Sequence, residues 1–189
     1  MAHNNIEIEI KIKLTKPKFE KIKKLLSKIA EQTNISHHID TYYNPTYKSF
    51  LKPKNPYEWL TIRERDGKVK LNYKHWYPEG VKNTTHCDEF ETEISNKSQM
   101  EKILKAVHFE NFVTVDKKRI TYEYNKEFEI ALDQVKRLGY FIEVESMKNK
   151  GGIKKAHQKI LEFLKTELGI TETKTVPGGY GAEMMRKQN

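Results

Sequence analysis

A single cysteine, Cys87, rules out an intrachain disulfide. That scarcity fits a reducing compartment. No apolar run approaches the ~18 residues of a membrane span. Met1 to Asn5 lead straight into charge, without the apolar stretch of a signal segment. A cytoplasmic protein with no membrane partner is expected. Acidic residues are in deficit, with 26 Asp and Glu against 35 Lys and Arg, for a formal net charge of +9. That balance predicts anionic partners. Charged residues make up 32% of the chain, but ten Tyr, eight Phe and two Trp argue against disorder. No sequence repeat and no long linker divides the 189 residues, so one domain over 1–189 is expected.

What is present is alternation. From Ile6 to Leu14, Ile6, Ile8, Ile10, Ile12 and Leu14 point one way, and Glu7, Glu9, Lys11 and Lys13 the other. Period two marks a half-buried strand. Thr15 and Pro17 then suit a helix start, and Phe19, Ile22, Leu25, Leu26 and Ile29 give that helix an apolar stripe. Strands are expected over 37–43, 57–65, 68–76, 86–94, 112–124, 127–135 and 140–146. Asp66-Gly67 is a type I′ hairpin signal. Further helices are expected over 95–107 and 149–168, the latter closed by Gly169. The core spans about 6–168, and 169–189 reads as an irregular tail. Eight strands, mostly hairpin-joined, predict an α+β domain built on an antiparallel β-barrel with helices packed outside.

One alternating face of these strands is charged, and the signs are segregated. Acids cluster at Glu7 and Glu9, at Glu89, Glu91 and Glu93, at Asp133, and at Glu143 and Glu145. Bases cluster at Arg63 and Arg65, at Lys68, Lys70 and Lys74, and at Lys117 and Arg119. A wet sheet face explains any one strand, whereas solubilising surfaces usually mix signs. Turned inward, such a face suits a triphosphate. Lys and Arg can bind phosphate oxygens, while carboxylates can hold Mg²⁺ or Mn²⁺. Glu-x-Glu on one strand spaces its carboxylates about 7 Å apart, so tight chelation needs several strands to converge.

Glu7-Ile8-Glu9-Ile10-Lys11 resembles the N-terminal Glu-x-Glu-x-Lys signature of the CYTH, or triphosphate tunnel metalloenzyme, superfamily. Asp40-Thr41-Tyr42-Tyr43, Leu60 to Arg65, Leu71 to Lys74, Glu91 to Glu93, Lys118-Arg119, Leu132-Asp133 and Leu138 to Glu145 resemble later motifs of that family, in order. The resemblance implies an eight-stranded antiparallel tunnel that binds triphosphate with Mg²⁺ or Mn²⁺. It assigns metal to Glu7, Glu9, Glu143 and Glu145, with Glu91 or Glu93 and Asp133 assisting. It assigns phosphate to Lys11, Arg63, Arg65, Lys74 and Arg119. Glu9 and Lys11 are the candidate catalytic residues. The class IV adenylyl cyclase branch, which converts ATP to cyclic AMP and pyrophosphate, is the nearest likeness. A triphosphatase acting on thiamine triphosphate, tripolyphosphate or a nucleoside triphosphate is the alternative. A non-catalytic polyphosphate- or RNA-binding module is the alternative of another class. A nucleotide is favoured over nucleic acid as partner, and homodimerisation is compatible with the sequence. The segment 75–88 and the Gly-rich tail depart from the family pattern.

Other candidates reduce to structural roles. His37 and His38 are adjacent on a strand and point to opposite faces. His86-Cys87-Asp88 lacks zinc-finger spacing. Tyr73, Trp76, Tyr77 and Tyr180 suit packing as well as base stacking. The lysines of 16–28 form a solvated helix face. Gly178 to Gly181 does not join a strand to a helix, so it is not a phosphate loop.

Overall fold

The computed structural model describes residues 6–148, 151–171, 176 and 178–188. The alternating N-terminal segment is extended as expected, but it breaks at Ile8 into β1 (Ile6–Glu7) and β2 (Glu9–Leu14). Then follow α1 (Lys16–Ile29), β3 (Glu31–Pro45), β4 (Glu58–Arg65), β5 (Lys68–Tyr77) and β6 (His86–Glu93). The chain continues through α2 (Lys97–Ala106), β7 (Phe109–Tyr124), β8 (Phe128–Val135), β9 (Gly139–Ser146), α3 (Ile153–Thr166) and α4 (Gly179–Gln188). The strands form one sheet in the order β1-β6-β5-β4-β3-β7-β8-β9-β2. Its first and last members, β1 and β2, are joined in the chain through Ile8. This is antiparallel β-barrel topology, with nine strands in place of the expected eight. The ninth arises because the single expected first strand serves two neighbours. Its first half lies beside β6 and its second half beside β9.

Local chemistry accounts for the element ends. The Thr15 hydroxyl accepts from the Lys18 backbone N–H at 3.4 Å, so α1 starts where the sequence indicates. Asn96 caps α2 in the same way, accepting from Gln99 N–H at 3.0 Å. At the β4–β5 hairpin, Asp66 and Gly67 both have positive φ, as a type I′ turn requires. Asn125 and Lys126 do the same between β7 and β8. The expected helix over 149–168 is shorter, and Asn149 lies outside the described residues. Among the described residues, no helix is long and apolar enough to cross a membrane.

The chain divides into two compact units. One gathers Glu7–Ser36 and Lys117–Val176, and is called the N-strand unit below. Its core is the apolar side of β2, β8 and β9 under α1 and α3. Ile8, Ile12, Ile22, Leu26, Ile130, Leu132, Ile142, Ile160 and Leu164 are all essentially inaccessible. Phe19 meets Tyr140 with ring centroids 4.8 Å apart, and Phe163 meets both Tyr124 and Phe128. Each such buried side chain contributes about 1.5–3 kcal/mol relative to exposure.

The other unit comprises His37–Asp116 with the C-terminal helix, and is called the hairpin unit. Tyr43, Ile62 and Leu104 centre its core, with Leu60, Val69, Leu71, Ile94, Met100 and Phe109 around them. Here the expectation of an irregular tail fails, because α4 is helical and buries Tyr180, Ala182 and Met184. Glycine composition misleads at this point. Gly181 is needed for close approach, since a Cβ there would stand 2.7 Å from the Tyr42 ring. Pro177 lies outside the described residues.

Candidate functional site

The polar face of the N-strand unit is set by register. Lys11 stands opposite Glu143, Glu9 opposite Glu145, and Arg119 opposite Asp133. Because alternate residues share a face, the apolar isoleucines of β2 go to the helices and the charged residues gather on the other side. Glu7, Glu9 and Glu143 converge there, each offering a carboxylate oxygen within 4.8 Å of the others. All three are buried, at 7%, 6% and 8% exposure. Two ionised carboxylates at that separation repel by roughly 3–4 kcal/mol before compensation, at an effective dielectric constant near 20. The cluster is stable only beside positive charge.

That charge comes from Lys11, Arg119 and Lys117. Lys11 Nζ lies 3.0 Å from Glu9 Oε1 and 3.1 Å from Glu143 Oε2. Arg119 donates from Nε to Asp133 Oδ1 at 2.8 Å, and from Nη2 to Asp133 Oδ2 at 2.6 Å and Glu143 Oε2 at 3.0 Å. Burial opposes ionisation of Glu143, but Arg119, Lys11 and Lys117 together hold its carboxyl well below the usual range. Asp133, fully buried, is likewise held low by Arg119 and Lys117 against the opposing effect of burial. Glu143 is therefore an anion that can meet a cation without first losing a proton.

The three-carboxylate cluster fits a hard divalent ion by its donor set. It offers only oxygen donors, Glu143 among them is held ionised by its basic neighbours, and they come from separate strand positions. Among the described residues it is the one such cluster. Glu145 shares the face and the register position opposite Glu9 but is not a member of the cluster. Asp133 is engaged by Arg119.

The hairpin unit carries its own charged face. Arg63 Nε donates to Asp40 at 2.9 Å, and Asp40 is only 1% exposed. Arg63 also approaches Glu91 at 3.8 Å, and Lys70 bonds the other oxygen of Glu91. Lys74 pairs with Glu89 at 3.5 Å, and Lys68 with Glu93 at 3.8 Å. A cavity of about 330 Å³ is lined by Arg63, Arg65, Lys68, Lys70, Asp66, Glu91 and Glu93. Of the expected metal residues, Glu91 and Glu93 thus face basic partners within this unit. Of the expected phosphate residues, Arg63 and Arg65 border the cavity and Lys74 lies beyond it on the same face.

Sequence reasoning passed over two contributors. Lys117 is 3% exposed and acts on both Glu143 and Asp133. Its position two residues before Arg119 on one strand was the available signal. Asp40 orients Arg63, which only the register of β3 against β4 reveals. His37 and His38 do point apart. His37 bonds Asp116 at 2.7 Å on the surface, while His38 is buried.

Comparison with known proteins bears on the fold and the family. A Methanocaldococcus jannaschii protein named "Putative adenylate cyclase" is 29% identical over 178 residues, covering 93% of this chain and 96% of its own. The solved structure of the PH1819 protein from Pyrococcus horikoshii is 27% identical, with a TM-score of 0.77 over 96% of this chain and 99% of its own. The Hippeastrum protein HpAC1, described as having a dominant triphosphatase activity, shares the fold. Its TM-score is 0.66 at 17% identity, over 97% of this chain and 96% of its own. The CYTH domain model matches residues 5–180, and the chain belongs to the CYTH domain family.

Proposed function

We propose that the protein is a divalent-metal-dependent enzyme acting on a triphosphate, with cyclisation of ATP to cyclic AMP and pyrophosphate as the first reading. The observation that carries the proposal is the buried Glu7, Glu9 and Glu143 cluster with Lys11 and Arg119 set against it. Buried acids and bases interleaved at 3 Å suit a ligand that is itself a polyanion with a cation attached. The likeness to the Methanocaldococcus jannaschii protein supports the cyclase reading by its name.

In this reading Glu7, Glu9 and Glu143 hold Mg²⁺ or Mn²⁺, and Glu145 stands beside them on the sheet. The ion supplies charge neutralisation at phosphate oxygens. Lys11 and Arg119 already rest against Glu143, so the cationic donors that an arriving phosphate needs are in place beforehand. Glu9 and Lys11 hold each other in place within this set. In the hairpin unit, Arg63, Arg65 and Lys74 are phosphate ligands on the same chemical ground. Cyclisation joins the ribose 3′-oxygen to the α-phosphorus, breaks the bond between that phosphorus and the α–β bridging oxygen, and releases pyrophosphate, with the 3′-hydroxyl proton passing to water.

A second reading is hydrolysis, in which water attacks the γ-phosphorus, the bond from that phosphorus to the bridging oxygen breaks, and the diphosphate leaves with orthophosphate as the other product. It is favoured by the state of Lys11. Lys11 is engaged by two carboxylates, Glu9 and Glu143, rather than directed at a ribose hydroxyl.

Product identification separates the readings. The protein is incubated with ATP, thiamine triphosphate and tripolyphosphate in Mg²⁺ or Mn²⁺. Cyclic AMP with pyrophosphate supports cyclisation, and orthophosphate supports hydrolysis. No turnover of any substrate with either metal refutes both.

A further inference from the structure

The charged face of the hairpin unit changes character along its strands. Register places Asp40, Arg63 and Lys70 in one row, and Tyr42, Thr61 and Asn72 in the next. A third row holds Trp59 and Lys74. The face therefore passes from cationic, through neutral and polar, to aromatic, within one side of one sheet.

Two polar atoms on it stand out. The Thr61 hydroxyl and the Trp59 indole N–H are buried and have no hydrogen-bond partner. The residues are 3% and 5% exposed. An unmade buried hydrogen bond is destabilising, and folded proteins rarely tolerate two side by side without a use. Trp59 lies in the region that α4 covers, and Thr61 is two residues along the same face of β4, opposite Tyr42. Gly181 abuts Tyr42 and the Trp59 ring, where a Cβ would stand 2.7 Å and 3.2 Å away, and Gly178 would likewise meet Trp59 at 3.2 Å. No side chain of α4 supplies the missing partners.

We propose that Thr61 and Trp59 are specificity-determining residues that hydrogen-bond the base of a nucleoside triphosphate, and that α4 is the cover over this subsite. The inference rests on the triphosphate reading above and narrows it to an organic substrate. An indole N–H needs an acceptor, which the ring nitrogens of a base provide. A hydroxyl can donate or accept. The Trp59 ring lies under α4, so a base reaches it only where that cover moves aside, and Arg63 and Lys70, in the adjacent row but one, suit the anionic end of the same molecule. Inorganic tripolyphosphate would satisfy the cationic row but leave both orphaned atoms unpaired.

The test uses Thr61→Val, which keeps the shape and removes the hydroxyl. Because it deletes an unsatisfied buried group, the variant is expected to melt no lower than the wild type. Its kcat/KM for ATP should fall about tenfold or more, from one lost hydrogen bond. Tripolyphosphate, as substrate or as competitive inhibitor, should act on it within about twofold of wild type. Equal losses for both ligands, or no loss for either, overturn the assignment. If the wild type turns over neither ligand, the enzyme reading has failed and binding decides the subsite. ATP, but not tripolyphosphate, should then alter tryptophan emission in a manner that Thr61→Val weakens. Identical responses to both ligands, or none to either, overturn it. Hydrogen exchange over 179–188 tests the cover. It should change on adding ATP and stay constant with tripolyphosphate, and no change with ATP removes α4 from the proposal.

Discussion

Adding Mn²⁺ or Mg²⁺ to the metal-free protein is expected to raise its melting temperature, and Glu9→Gln is expected to abolish most of that rise. Three buried carboxylates within 4.8 Å of one another are offset in part by Lys11 and Arg119. A divalent ion adds charge where repulsion remains. At a free concentration 100 times its dissociation constant, a ligand specific for the folded state stabilises by about 2.7 kcal/mol. For a chain of this size, 1 kcal/mol corresponds to about 2–4 °C. The expected rise is therefore about 5–11 °C, read by differential scanning fluorimetry or near-ultraviolet circular dichroism. Glu9→Gln keeps the shape of the side chain and removes one charged donor, at 6% exposure, from the set. The same concentration of Mg²⁺ or Mn²⁺ should then shift the variant by less than about half as much. Two results would refute the reasoning: no shift in the wild type with either ion up to millimolar concentration, or an equal shift in the variant. Neither depends on turnover, so the metal assignment can fail while the enzyme assignment survives.

Lys11→Met should tighten metal binding in the absence of triphosphate while weakening triphosphate binding, because Lys11 occupies oxygens of Glu9 and Glu143 that the ion would share. Calorimetric titration with each ligand reads both signs. Arg119→Ala should destabilise the fold by about 3 kcal/mol in urea unfolding, since it removes two hydrogen bonds from the fully buried Asp133 and leaves Lys117 to offset that charge in part. Glu143, whose folded pKa is depressed, contributes stability that is present above its ordinary value of 4.5 and is lost as pH falls through the lower folded value. Glu143→Gln should therefore flatten the decline of metal-free stability below pH 4.5, measured as unfolding free energy against pH. Thr15→Ala should cost about 0.5–1 kcal/mol, toward the low end for a helix cap because its bond is long at 3.4 Å.

The strands, the first helix and the charged face were legible in the sequence because they rest on local rules. Alternation from Ile6 to Leu14 dictates which side chains meet the helices, wherever the strand is placed. Thr15 with Pro17, and Asp66 with Gly67, encode a helix start and a turn in their own backbone preferences. Segregation of acidic and basic strands was likewise visible, together with the ordered motifs that resemble the CYTH family. The tertiary structure alone decided which charges meet. Strand register, set by packing over more than a hundred intervening residues, brings β2 beside β9, and of the two β9 glutamates on that face it is Glu143 that joins Glu7 and Glu9 in the cluster. The spacing of Lys117 from Arg119 placed it on the charged face, but its influence on Glu143 and Asp133 came from burial beside them. The C-terminal segment read as irregular because its glycines have low helix propensity. It is helical because Tyr180, Ala182 and Met184 find an apolar seat, and because only a residue without Cβ fits against Tyr42. Propensity is a property of the chain, whereas close approach belongs to the surface the chain folds against.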